Sequence, residues 1–296
     1  MSARRSMRVG IVGAGVMAEA MISGLLADRL PPEQLVASHP RRERREALVG
    51  EHGIRTVSRN AEAVSGAQIV VLAVKPQMLA SVMREVGPAL GGDQVVLSVV
   101  AGATLRTLSH GLAHAAVVRA MPNTPAQIRR GIAVWAASPA CNAGQRDLAR
   151  AVLGALGEQK EVADEEFVAM ATALSGTGPT YLFAVMEALI DAGVHMGFPR
   201  ELAHDLVVVT LVGSSEFAAR SQLHPAQLRN LVTSPGGTSA AAIYELEKGR
   251  LRTVLSDAVW AAYRRTQELG ARLEAETGAG GPADGPAGGA THEGGR

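Results

Sequence analysis

Six segments of the chain combine residue types that can do chemistry. Gly13-Ala14-Gly15-Val16-Met17-Ala18 follows an apolar run, Arg8–Val12, in the form G-x-G-x-x-A. Gly13 permits a tight turn, Gly15 lets backbone approach a pyrophosphate, and Ala18 lets a helix pack closely on a strand. The helix that follows aims its free N–H groups and positive dipole end at the phosphates, so the segment reads as a dinucleotide site. Ser38-His39-Pro40-Arg41-Arg42 stands where a dehydrogenase using NAD carries Asp or Glu for the ribose 2′-hydroxyl. Hydroxyl donors followed by arginines suit a 2′-phosphate, because a guanidinium grips phosphate oxygens in a fork. NADP(H) is therefore the preferred cofactor, with NAD(H) also compatible. The same run, Arg41–Glu46, also reads as an exposed helix start with alternating charge.

Ala73-Val74-Lys75-Pro76-Gln77 closes a third apolar run, and Pro76 ends it. Lys75 is one of three lysines, with Lys160 and Lys248, and lies where doubly wound sheets bind ligands. Met121-Pro122-Asn123-Thr124-Pro125 is a rigid loop after a fifth run. Ser175-Gly176-Thr177-Gly178-Pro179 and Thr233-Ser234-Pro235-Gly236-Gly237-Thr238-Ser239 each join hydroxyls and glycines at a helix start. Such starts leave backbone N–H groups free for an anion such as a substrate carboxylate. The chain has no H-E-x-x-H, no metal-spaced acid cluster and no G-x-S-x-G. His110 and His114 share a helix face without a third ligand, so they read as structural and no metal is expected. Hydride transfer needs no protein nucleophile, because the cofactor carries that chemistry.

The elements that must position these residues follow from composition and pattern. The chain has 296 residues, 47% hydrophobic and 19% charged, which excludes global disorder and suggests about two domains. Aromatics are 3%, so the core is built from Ala, Val, Leu, Ile and Met. A net charge of +1 gives no electrostatic footprint for nucleic acid or an anionic membrane. A single cysteine, Cys141, excludes an internal disulfide and makes a reducing cytoplasm the default setting. The glycines and Glu19 after Arg8 exclude a secretory segment, and Ser175–Pro179 interrupts the uncharged stretch Phe167–Met186, so no membrane span is expected.

Residues 1–6 read as a loose start and 276–296, rich in Gly, Ala and Pro, as a disordered tail. Between 7 and 162, runs at Arg8–Val12, Leu35–Ala37, Ile69–Val74, Val95–Val100, Ala116–Ala120 and Ile132–Ala136 alternate with helical stretches. That alternation predicts an α/β fold with a doubly wound parallel sheet. From 163 to 275 only helices are expected: one opening at Asp164-Glu165-Glu166, one at Pro179, then Arg200–Arg220, Pro225–Leu231, Ser239–Lys248 and Leu251–Leu273. Val207–Val212 is apolar nearly all round, which predicts burial on several sides in an obligate dimer.

Taken together these segments resemble the pyrroline-5-carboxylate reductase family over residues 8–270. The likeness rests on GAG-x-MA, AVKPQ, SVVAG, VRAMPNTPA, LSGTGPTYLF, DAGVHMGFPR and HPAQLRNLVTSPGGTS, the last being the most specific. It implies an N-terminal Rossmann domain followed by an all-α dimerisation domain, a homodimer that builds into a decamer, and NAD(P)H-dependent reduction of 1-pyrroline-5-carboxylate to L-proline, the last step of proline biosynthesis. It also implies roles. Gly13, Ala14, Gly15, Val16 and Met17 would bind pyrophosphate, Ser38 or His39 would lie by the adenosine 2′-phosphate that the residues themselves assign to Arg41, and Asn60 would meet the adenosine. Ala73, Val74, Lys75, Pro76 and Ala101 would line the nicotinamide side. Glu165 and Ser175 would lie by the imino acid, Gly236, Gly237 and Thr238 would hold its carboxylate, and the Ser239 hydroxyl would meet the ring nitrogen. Val16, Thr177, Leu231 and Ser239 depart from the usual family residues. Two other readings remain: a related hydroxy-acid dehydrogenase, which would need a catalytic lysine where only Lys248 is found, and a dinucleotide-sensing regulator without turnover.

Overall fold

The computed structural model describes residues 7–279 of the chain. The expected loose start at 1–6, and the expected tail from 280 on, lie outside the described residues. The first unit holds the described residues up to Ala171 together with those from Arg265, and Thr172–Arg264 form the second. The helical boundary expected at 162/163 therefore falls inside the first unit.

The first unit is built on an eight-stranded sheet in the order β3-β2-β1-β4-β5-β6-β7-β8. The strands are β1 (Val9–Val12), β2 (Leu35–Ser38), β3 (Arg55–Val57), β4 (Ile69–Leu72), β5 (Val95–Ser98), β6 (Val117–Met121), β7 (Gly131–Ala137) and β8 (Gly157–Glu161). The first six pair in parallel, β7 runs antiparallel to β6, and β8 follows β7 in parallel. The sheet is thus doubly wound but only mostly parallel. A short loop around Thr124–Ile128 turns the chain straight back into β7, with no crossover helix to restore the direction.

Alternation along each strand feeds two cores. On β4, Ile69 and Val71 join one cluster while Val70 and Leu72 join the other, and β5 divides in the same way. The first face is covered by α1 (Val16–Ala27), α2 (Arg42–His52) and α6 (Ala143–Gly154), through Met21, Ile22, Leu25, Leu48, Val152 and Leu153. The second is covered by α3 (Asn60–Val64), α4 (Leu79–Val86) and α5 (Leu105–Leu112). Leu273 from the end of α12 (Leu251–Thr277) joins that second core. Helix α12 reaches Thr277 and Ala279 is buried, so the ordered chain passes residue 276, the expected start of the tail.

The second unit carries α8 (Gly178–His195), α9 (Arg200–Arg220), α10 (Pro225–Leu231), α11 (Thr238–Lys248) and the first part of α12. Ahead of α8, α7 (Glu166–Ala171) runs into a π-helical turn, Thr172–Gly176. Helices α8 and α9 meet where Gly193 leaves space for Ala203. Elsewhere α9 is bare: Leu206, Val209, Val212 and Phe217 are all exposed, and Ala203 is its single buried residue. By length and composition α9 is also the one described helix that could cross a membrane.

Packing of α1 turns on Gly24, where an added Cβ would stand 2.3 Å from the Ala155 carbonyl oxygen. In an open helix Gly→Ala stabilises by about 0.5–1 kcal/mol. Here the clash is with backbone, so Gly24→Ala is expected to destabilise by about 1–3 kcal/mol. The urea midpoint of the full chain reads the sign; a midpoint at or above that of the parent would contradict this packing.

Candidate functional site

The parallel order 3-2-1-4-5-6 reverses between β1 and β4, and a crevice opens outside the carboxyl ends of strands at such a point. Ala73 donates to the Val12 carbonyl at 2.9 Å, so the two strand ends leave the sheet side by side. Gly13 sits between them in the left-handed region, at φ +88°, where a Cβ would meet Val74 Cγ1 at 2.5 Å. Ala73 and Val74 thereby explain why the first glycine of the motif is obligatory. Gly15 is the N-cap of α1 with no side-chain cap, and nothing stands within 4 Å of its missing Cβ.

The amides of the turn are already divided. Gly13 and Ala14 donate to the Ser38 carbonyl at 3.3 and 3.2 Å, and Gly15 donates to Gly13 at 2.9 Å. Glu19 makes the first helical bond, to Gly15. Val16, Met17 and Ala18 precede that bond and aim their amides out of the helix end. An open glycine, an uncapped helix start and a row of outward amides fit a pyrophosphate.

Ser38 is fully buried. Its hydroxyl donates to Asn60 Oδ1 at 2.7 Å, while Asn60 Nδ2 and backbone N donate to the two Glu85 carboxylate oxygens at 2.7 and 2.9 Å. Ser38, Asn60 and Glu85 thus form a chain of bonds next to the turn. His39 Nδ1 accepts from the Arg41 amide. Burial, reinforced by the positive charge of Arg41, Arg44 and Arg45, holds the His39 imidazole below its usual pKa. Arg45 donates to the His39 and Pro40 carbonyls, and Arg42 pairs with Glu46 on the surface. The Arg41 guanidinium is in none of the described hydrogen bonds or ion pairs, which leaves its fork available to a phosphate.

Lys75 is exposed and precedes a short turn, Pro76–Met78. Ala101 is half-buried in the loop after β5. Next to it Gly102, at φ +80°, lies against the backbone of Leu269 and Gly270 on α12. Glu165 closes the far end of that loop. Its Oε1 accepts from the Leu105 amide and from Arg119 Nη1, each at 2.8 Å. Arg119, on β6, is buried, so this carboxylate caps α5 and satisfies a buried cation at once.

In the second unit the two hydroxyl-glycine segments stand at helix starts. Thr177 donates to the Thr172 carbonyl through both its amide and its hydroxyl, at 2.9 Å each, and Tyr181 donates to Ala173 at 2.9 Å. These bonds secure the π-helical turn that carries Ser175. Gly236, at φ +70°, makes a corner and Gly237 N donates to Ser234 at 3.0 Å, so that amide is spent within the turn. Gly237 is the uncapped N-cap of α11, and the first ladder bonds come from Ala240 and Ala241. The Thr238 and Ser239 amides therefore lie in the first turn, ahead of the ladder, which suits a carboxylate. The first unit thus gathers the glycine turn, Ser38–Arg41, Asn60, Ala73–Pro76, Ala101 and Glu165, while Ser175 and Gly236–Ser239 belong to the second.

Three side chains in this framework were given no role by the motifs: Arg44, Glu85 and Arg119, the last although it lies within VRAMPNTPA. Arg44 lay inside a charge run, and Glu85 looked like any surface acid. Arg119 offered a signal, a cation inside an otherwise apolar strand, because a buried guanidinium needs a carboxylate.

A doubly wound sheet with an open glycine turn, joined to a helical unit with bare apolar faces, defines a dinucleotide-dependent oxidoreductase that dimerises. Residues 8–102 match the family model described as NADP oxidoreductase coenzyme F420-dependent, and residues 165–269 match the model for pyrroline-5-carboxylate reductase dimerisation. Pyrroline-5-carboxylate reductase from Synechocystis sp. is 39% identical over 90% of this chain and 99% of its own. The Pseudomonas aeruginosa enzyme of that name is 40% identical over 90% of this chain and 98% of its own. A solved pyrroline-5-carboxylate reductase from Coxiella burnetii superposes with a TM-score of 0.83 at 33% identity, over 89% of this chain and 98% of that one. One from Plasmodium falciparum, solved with NADP bound, superposes with a TM-score of 0.83 at 29% identity, over 90% and 99%. The chain belongs to the pyrroline-5-carboxylate reductase family.

Removing the Glu165 carboxylate would leave Arg119 and the Leu105 amide without their acceptor. Glu165→Ala is expected to lower the unfolding free energy by about 1–3 kcal/mol. Chemical denaturation checks this, and an unmoved midpoint would mean that the carboxylate supports neither partner.

Proposed function

We propose that the chain reduces 1-pyrroline-5-carboxylate to L-proline with NADPH, and with NADH less readily, as the family's reaction requires. The observation that carries the reading is the open N-terminus of α1 at the strand-order reversal, in a chain that aligns with these reductases over 90% of its own length and nearly all of theirs. When bound, the reduced nicotinamide supplies a hydride. The chain's own residues bind and orient.

The Val16, Met17 and Ala18 amides would take the pyrophosphate, with Gly13–Gly15 keeping side chains out of its way. Ser38 and Asn60 would act beneath the turn, Ser38 by holding it and Asn60 by fixing the start of α3. His39 and Arg41 would face the adenosine ribose, and the free Arg41 fork would take the 2′-phosphate. Ala73–Pro76 and Ala101 would line the nicotinamide side, Lys75 adding positive charge there. Glu165 would keep that side in place, since Oε1 anchors the loop that bears Ala101.

The carboxylate of the imino acid would sit on the Thr238 and Ser239 amides at the corner made by Gly236 and Gly237, with Ser175 alongside. Its ring nitrogen would meet the Ser239 hydroxyl. The protonated C=N group is a donor; once hydride has added to carbon, the π electrons become the nitrogen lone pair and the group is an amine. A hydroxyl suits both states, because it accepts from the first and donates to the second. No side chain has to deliver a proton, because the imine enters protonated. Catalysis then rests on orientation and on fixed dipoles.

Bare apolar faces on α8, α9, α11 and α12 suit a homodimer, and further assembly into a decamer belongs to the same reading. A free, buried Cys141 suits the cytoplasm.

Synthetic pyrroline-5-carboxylate is expected to drive oxidation of NADPH faster than of NADH. No oxidation of either would end the reading. Ser239→Ala is expected to cut kcat/KM by about 0.5–1.5 kcal/mol, roughly two- to twelvefold, and unchanged kinetics would remove that hydroxyl from the mechanism. Arg41→Ala is expected to raise KM for NADPH and spare NADH; an unaltered ratio between the two would contradict its assignment.

A further inference from the structure

Beside the glycine turn stands a group that an anion site should not contain. Glu19 lies in α1 one residue past the three outward amides, at the end where the helix dipole is positive. An acid there steadies an empty helix, but it competes with a pyrophosphate for the same field and repels its charge. Glu51 adds to the difficulty: the ligand atoms of Glu19, Glu51 and His52 all lie within 4.8 Å of one another.

Arg44 comes to this acid from α2. Its Nη2 meets Glu19 Oε2 at 2.5 Å, and its Nε donates to the Ala14 carbonyl at 3.0 Å. Neither side chain is more than 28% exposed, so the pair is only partly screened. One guanidinium thus holds the centre of the turn and neutralises the acid beside it. The imidazole of His52 approaches the other Glu19 oxygen only at 3.5 Å.

We propose that Arg44 is a positioning residue of the dinucleotide site, one that sets affinity for NADPH and NADH alike by cancelling the Glu19 charge and fixing Ala14. The proposal rests on reading the glycine turn as the pyrophosphate site. It separates two arginines three residues apart: Arg41 discriminates between dinucleotides through the 2′-phosphate, whereas Arg44 acts on the part that both share. It also gives the charge run at 41–46 a division of labour, with Arg42 and Glu46 paired in solvent.

Binding of NADPH and of NADH to the full chain is titrated directly by the quenching of protein fluorescence, with no imine present. Arg44→Gln is expected to weaken both by roughly three- to tenfold, and adding Glu19→Gln to it should recover most of the loss, since the repelling charge goes with its counter-ion. Glu19→Gln alone should bind both at least as tightly as the parent, and it keeps the test alive should Arg44→Gln fold poorly. The proposal is overturned if Arg44→Gln titrates like the parent, if it weakens NADPH alone, if the double variant recovers nothing, or if Glu19→Gln alone binds more weakly. A parent protein that binds neither dinucleotide would overturn the underlying reading before any variant is made.

Discussion

One carbonyl organises the dinucleotide half of the molecule. The Ser38 oxygen, at the end of β2, accepts from both Gly13 and Ala14. Two amides of the glycine turn are thereby consumed inside the protein, and the amides left to a ligand are those of Val16–Ala18. The turn fits there because Gly13 has no Cβ to strike Val74, and because strand order reverses just beyond it. A side chain at Gly13 would part β1 from the loop after β4, and the crevice would lose its wall. From the Ser38 hydroxyl the same support continues to Asn60 and on to Glu85, so β2, α3 and α4 are tied under the site. Buried polar groups without partners cost about 1–3 kcal/mol each, so such a chain of bonds tends to persist or fail as a unit.

The same economy governs the loop after β5. Arg119 is buried in β6 and would be costly alone; Glu165 satisfies it and caps α5 with one oxygen. From the opposite side, the end of α12 presses Gly270 against Gly102 and sends Glu274 to within 3.2 Å of the Thr104 hydroxyl. Residues about 170 positions apart in the chain thus fix one short loop between them. A helix that begins among bare apolar neighbours ends as part of the core under that loop, through Leu273.

Much of this was legible in the residues. Continuous apolar runs marked β1, β4, β5 and β6, because strands covered on both faces need no polar alternation. The glycine spacing and the proline-glycine corner at 235–237 marked the two helix starts. Strands β3 and β8 were not legible. Arg-Thr-Val and Gly-Glu-Gln-Lys-Glu lie at the two edges of the sheet, where exposure lets polar residues stand and charges discourage edge-to-edge pairing. The reversal at β7 was also hidden, since an apolar strand reads the same in either direction. Within the site, pattern revealed the backbone features and missed the long side chains. A glycine turn is a local matter, whereas Arg44, Glu85 and Arg119 act on partners 25 to 46 residues away. The Ser38 hydroxyl reads in sequence as a phosphate ligand, and its complete burial and its bond to Asn60 are features that the sequence does not announce.

The helical half carries the opposite problem, too little burial. Helix α9 has one buried residue in its 21, and Trp260, Tyr244 and Phe183 are more than half exposed. Each large apolar side chain left in water forgoes about 1.5–3 kcal/mol. A helical hairpin with so little buried side-chain surface could not make up that deficit against its own chain entropy. The family's dimerisation match covers 165–269, the stretch where these bare faces lie. A second copy meets the deficit without new residue types, because a two-fold axis sets each apolar face against its own equivalent. Folding of this half and association of two chains then become one equilibrium, and stability rises with protomer concentration. The helix start at Gly236–Ser239, proposed above to hold the substrate carboxylate, lies in that same half, so on that proposal the substrate side would form only as the chains associate.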